Sequence, residues 1–98
     1  MIIVWSRLAL ERVMEIADYI AADKPIAAHN WVTEIFDAVE NLANFPELGR
    51  GIPEIRDKRY RQIIKGNYRI IYKLEDGKVY ILTVRHGRQI LPLDEIQS

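Results

Sequence analysis

The chain has 98 residues and a mass of 11.5 kDa, is 49% hydrophobic and 29% charged, and balances 14 basic side chains against 14 acidic ones. That composition gives one globular domain over residues 1–98 and excludes a disordered or fibrous chain. No cysteine is present, which removes disulfides, thiolate metal sites and cysteine nucleophiles and fits a reducing, cytoplasmic setting.

Met1-Ile2-Ile3-Val4-Trp5 is apolar but lacks a basic leader and a small-residue cleavage site, so Ile2–Trp5 reads as a strand and not as a secretory signal. No apolar run approaches the roughly 18–20 residues of a membrane span. Ser6 is placed to cap a helix, because its hydroxyl accepts an otherwise unpaired first-turn N–H. From Arg7 to Ala21 the spacing of Leu10, Val13, Met14, Ala17, Ile20 and Ala21 predicts one apolar face, with Glu11, Glu15 and Asp18 opposite. Arg7 and Glu11 form an i,i+4 pair on that helix.

Ala22-Asp23-Lys24-Pro25 breaks the pattern, with Asp23 as the expected cap and proline tolerated in the first turn. A second helix follows to about Phe45, striped by Ala28, Trp31, Val32, Ile35, Val39 and Leu42, and Pro46 stops it. The short connection makes the helices an antiparallel hairpin. Pro46–Pro53 reads as a loop. Beyond it the period falls to two. Tyr60–Lys65, Tyr68–Leu74 and Lys78–Val84 are strands separated by Gly66-Asn67 and Asp76-Gly77, both good two-residue hairpin turns. The fold class is therefore α+β, a helical hairpin on one face of a small antiparallel sheet in the order β-α-α-β-β-β, with the first strand joining at an edge.

Charge is unevenly placed along this chain. Residues 1–49 hold three basic side chains against eight acidic, and residues 50–88 hold eleven against four. If the halves form different faces, the positive one seeks an anion, either nucleic acid or an acidic protein segment. The Asp76-Gly77 turn pairs Leu74 with Val79 and Tyr72 with Ile81. Strict alternation then sends Tyr68, Ile70, Tyr72, Leu74, Val79 and Ile81 towards the helices. It leaves Ile64, Arg69, Ile71, Lys73, Leu82 and Val84 on an open face, with His86 and Arg88 beyond the strand end. Arg61 and Lys65 fall on the helix side, at the sheet's rim or in a longer turn. An open face mixing aliphatic side chains with arginines is a binding surface. Arg69 is either a solvated charge or a functional one. Its place among Tyr68 and Tyr72 in the central meander strand is not one that β propensity selects.

Other features carry no chemistry. Two distant histidines, His29 and His86, without cysteine give no metal-ligand spacing. Gly49-Arg50-Gly51 lacks the spacing of a dinucleotide loop, so neither cofactor nor metal is expected.

Several blocks, in order and at these separations, resemble the RelE/ParE superfamily of bacterial toxins from type II toxin–antitoxin systems. They are the strand ending near Ser6, Asp18-Tyr19-Ile20-Ala21, the Pro25–Ala28 helix start, Asn44-Phe45-Pro46-Glu47-Leu48-Gly49-Arg50, Tyr68-Arg69-Ile70-Ile71-Tyr72, and Ile81 through Gln89. The resemblance implies the same fold, a cognate antitoxin as partner, and higher-order toxin–antitoxin assembly. It also implies one of two activities. RelE-like members are ribosome-dependent endonucleases that cut mRNA, and ParE-like members poison DNA gyrase and serve plasmid stabilization.

Carried over from the ribonucleases, Arg69 matches the central-strand arginine and Arg88 the arginine after the last strand. The strand that should offer lysines holds Tyr60, Gln62 and Ile64 instead, and no tyrosine follows Arg88. RNA cleavage needs a base for the 2′-hydroxyl, an acid for the leaving oxygen and stabilised phosphate charge. Arginine stays protonated, which leaves His86 as the proton-transfer group. Arg69, His86 and Arg88 are thus the candidate catalytic set, although His86 can equally just end a strand. Ile64, Arg69, Ile71, Lys73, Leu82, Val84 and Arg88 are the candidate surface for antitoxin or target. The missing lysines favour a gyrase-inhibiting toxin. The alternatives are an mRNA interferase and an inactive relative acting only in a repressor complex.

Overall fold

The computed structural model describes residues 1–97. In chain order these form β1 (Ile2–Trp5), α1 (Arg7–Ala21), α2 (Pro25–Asn44), β2 (Arg50–Gly51), β3 (Tyr60–Lys65), β4 (Tyr68–Glu75), β5 (Lys78–His86) and a 3₁₀ turn at Leu93–Glu95. No helix among the described residues is long and apolar enough to cross a membrane.

Ser6 caps α1 as expected. Its hydroxyl accepts the Ala9 N–H at 2.9 Å and donates to the Leu82 carbonyl at 3.0 Å, so one group both ends the helix and ties it to β5. The cap of α2 is Lys24, without a side-chain hydrogen bond, and Pro25 opens the helix. Asp23 lies one residue too early. The stripe of α2 holds, with Ala28, Ile35, Val39 and Leu42 buried. That of α1 is rotated, with Ala9 and Val13 buried, Ile16 packed beside them, and Leu10 and Met14 exposed by 42% and 64%. Apolar residues in α1 span two neighbouring stripes. The stripe bearing the small Ala9 faces the sheet, and Arg12 then reaches Glu95 at 2.7 Å.

The sheet has five strands in the order β1-β5-β4-β3-β2. β1 runs parallel to β5, pairing Ile2 with Lys78 through Trp5 with Ile81. The meander is antiparallel, and its two-residue turns pair Lys65 with Tyr68 and Glu75 with Lys78. Gly66 (φ 59°), Asp76 (φ 54°) and Gly77 (φ 71°) adopt the left-handed backbone such turns demand. β2, read as loop, adds two residues beside Arg61 and Gln62. Arg61 does lie at the rim, donating to the Gly49 carbonyl at 2.9 Å.

One sheet face packs on the helices, around Ile35, Val39, Leu42, Ile70, Tyr72, Val79 and Ile81. The other face is not open, contrary to the expectation. Ile52 from the loop after β2, and Leu91 and Ile96 from the C-terminal segment, close over Tyr60 and Ile71, with Ile55 and Leu82 alongside. Bare aliphatic surface on a sheet is unfavourable in water, and the chain's own tail supplies the cover.

Candidate functional site

The pairing of β4 with β5 begins as the turn dictates, with Leu74 opposite Val79 and Tyr72 opposite Ile81, but Ile71 then pairs with Thr83. Leu82 is one residue too many, a β-bulge, and beyond it every side chain changes face. Val84 therefore sits opposite Ile70 in the helix-side core, fully buried, and not on the second face where alternation put it. His86 moves with it. It pairs with Tyr68, their rings 5.4 Å apart and nearly perpendicular, in a cleft of about 380 Å³ between α1 and the end of β5. Its Nδ1 accepts the Arg88 N–H at 3.2 Å. The bulge instead brings Arg85 opposite Arg69.

Arg69 keeps its predicted face but is no free cation. Its two terminal nitrogens donate to Glu54 Oε2 and Oε1 at 2.8 and 2.9 Å, and its Nε donates to Gln62 Oε1 at 2.6 Å. The arginine side chain is only 8% exposed. Such a two-point pair is strong and geometrically fixed. The hydrogen bond from Arg69 holds the Glu54 carboxyl below its ordinary pKa, against the opposing effect of burial. Glu54 is thus a charged acceptor with little affinity for a proton.

The remaining candidates divide. Ile71 is buried under the C-terminal segment, and Leu82 is half-buried against the same cluster. Lys73 shares the second face with Tyr60, its Nζ 3.0 Å from Glu75 and 5.2 Å from the Tyr60 ring centroid. Ile64 is 60% exposed, and Arg88 is exposed in the turn after β5. The structure brings Arg69, Ile71, Lys73 and Leu82 to one covered face and sends Val84 and His86 to the other. The exposed cations that make no ion pair among the described residues, Lys24, Arg50, Arg56, Lys58, Lys65 and Arg88, lie on loops, turns and strand ends.

Two acidic residues escaped the sequence reading. One is Glu54. The other is Glu95, whose carboxylate is 7% exposed and accepts from Arg12 Nε at 2.7 Å, with Arg85 at 3.1 Å on its other oxygen. This carboxylate clips the C-terminal segment to α1 and β5 at once. The sequence signals were weak: a lone Pro53-Glu54 in a loop, and Leu91, Ile96 and Glu95 in a tail without period.

Comparison with known proteins agrees with this architecture. The chain is 39% identical over 90 residues to a putative toxin, Y4kP, of Sinorhizobium fredii, covering 90% of each. It is 32% identical over 89 residues to the toxin RelE2 of Caulobacter vibrioides, covering 90% of this chain and 97% of that one. A solved structure of the chromosomal ParDE toxin–antitoxin system from P. aeruginosa superposes with a TM-score of 0.75 at 20% identity, over 88% of this chain and 95% of that one, and so shares its fold. The family described as the ParE toxin of the type II toxin–antitoxin system parDE matches residues 3–91, and the chain belongs to that family.

Proposed function

We propose that this toxin arrests growth by binding DNA gyrase, without cutting RNA, and that a cognate antitoxin neutralises it. The observation that carries the reading is the separation of the groups an RNA-cleaving site would need. Transesterification at a 2′-hydroxyl requires a base and an acid flanking one stabilised phosphate. Arg69 already commits all three of its nitrogens to hydrogen bonds with Glu54 and Gln62. Glu54, held below its ordinary pKa, is a poor base, and His86 lies on the opposite sheet face beside Tyr68. A phosphate approaching Arg69 must displace a carboxylate already bound at two points. A protein target needs no such constellation, only an accessible surface, and Ile64, Arg50, Lys65 and Arg88 offer one.

The test is a pair of assays on the purified chain. Gyrase supercoiling should stall while ribosome-bound message stays intact. Cleaved message with normal supercoiling overturns the reading in favour of an mRNA interferase, and His86→Gln then asks whether that residue transfers the proton. A chain that does neither yet binds antitoxin is the inactive relative.

A further inference from the structure

β1 is an edge strand, laddered to β5 on one side only. Just past its end the Ser6 N–H donates to the Ile81 carbonyl at 3.0 Å. Backbone groups alternate in direction along a strand, so Ile2 and Val4 turn towards β5 as Ser6 does. The N–H and C=O of Ile3 and Trp5 therefore point outward, and no turn or loop among the described residues supplies them with a partner. β1 is also the one strand among the described residues that carries no charged side chain. It has none of the lysines, prolines or bulges that keep sheet edges apart. Ile2 is exposed, Ile3, Val4 and Trp5 are half-buried, and the Trp5 ring lies 4.8 Å from that of Phe36, itself partly open to solvent. A bare apolar edge of this kind is a template for another strand.

The strand's own sequence selects the occupant. A two-fold axis through Val4 sets Ile3 of one copy opposite Trp5 of the other, and the outward groups of the two residues then satisfy each other as hydrogen-bonded pairs. Uncharged Val4 meets itself at the axis. Arg7, which would lie near Met1 of the other copy, is already paired with its own Glu11 at 3.1 Å. The opposite edge of the sheet resists such pairing, because Arg50, Arg61 and Lys65 would bring like charges together. We propose that two copies of this chain join antiparallel through β1, so that their five-stranded sheets become one continuous sheet closed by a two-fold axis. One short strand per copy makes a small contact, so the association is weak and set by concentration. This inference goes beyond the reading of gyrase and antitoxin and requires neither.

The experiment uses the full chain by itself. Sedimentation from about 1 μM to about 1 mM should show the mass rising from 11.5 kDa towards twice that value and no further. Over the same range hydrogen exchange should slow at the Ile3 and Trp5 amides and stay unchanged at Val4, whose N–H already faces β5. Val4→Lys and Val4→Glu, each alone, should weaken self-association about tenfold, through like charges at the axis and a lost apolar contact. An equal mixture of the two variants should associate about fivefold more tightly than either alone. Thermal melts of each variant separate lost association from lost folding, and the exchange pattern of the unmodified chain tests the register without any substitution. A chain still monomeric at about 1 mM overturns the proposal. Dimers without slowed exchange at Ile3 and Trp5, or indifferent to both substitutions, overturn it as well. Growth beyond two copies does the same, since a two-fold contact closes on itself. Slowed exchange at Ile3 and Trp5 that appears only when the protein of the adjacent reading frame is added assigns the edge to that partner and overturns the self-pairing.

Discussion

The Tyr72 hydroxyl accepts the Gly49 N–H at 2.9 Å and donates to the Pro46 carbonyl at 2.8 Å, fastening the turn after α2 to the middle of the sheet. The same closeness explains the glycine, since a Cβ at Gly49 would lie 2.5 Å from the hydroxyl and 2.6 Å from the Gln62 carbonyl. Tyr72→Phe leaves the Gly49 N–H without that partner, and urea denaturation should show a loss of about 1–3 kcal/mol with the slope unchanged. Glu54 offers a second measurement. Arg69 lowers its pKa, so the pair contributes stability above the ordinary carboxylate value of about 4.3 and loses it as pH falls through the lowered folded value. Glu54→Gln should cost about 1.5–3 kcal/mol at pH 7 and flatten the fall in stability between pH 7 and pH 3. Parallel pH profiles for the two proteins would mean that Arg69 is held by something other than this carboxylate.

Among the elements, the C-terminal segment is the one that closes over the second sheet face together with Ile52. Leu91 and Ile96 anchor it in the second cluster and Glu95 clips it to Arg12 and Arg85. Glu95→Ala should cost about 1.5–3 kcal/mol. It should also raise hydrogen exchange across residues 91–97 before the sheet opens, because the lost contacts are local. Exchange rising only with global unfolding would show the segment to be held by its apolar anchors alone. This element was not legible in the sequence, and the meander was, for reasons that lie in periodicity. Asp76-Gly77 and Gly66-Asn67 announce turns because few other residues accept that backbone, and the alternation around them fixes the register. Ile52, Leu91 and Ile96 sit in stretches with no period, where an apolar residue gives no hint of what it covers. Leu82 leaves no mark either, since a bulge is an extra residue and not a type of residue. From there on the faces were misassigned, and with them Val84 and His86.

At the scale of the molecule, the helical hairpin carries the acidic half of the chain and the sheet the basic half. The unpaired cations sit on loops, turns and strand ends, where they act on approaching partners over about a Debye length. The association rate of an acidic partner segment should therefore fall about tenfold or more from about 20 mM to about 500 mM salt, with a smaller change in dissociation. A rate insensitive to salt would mean that apolar contacts govern encounter as well as retention.

The extra residue at Leu82 sets which chemistry this scaffold can host. Deleting Leu82 would leave Thr83 opposite Ile71 and His86 opposite Tyr68, with both faces unchanged. Pairing Leu82 in register with Ile71 would instead turn the last strand over and put Val84 opposite Arg69. The extra residue, by staying out of register, thus keeps the imidazole on the face away from the arginine.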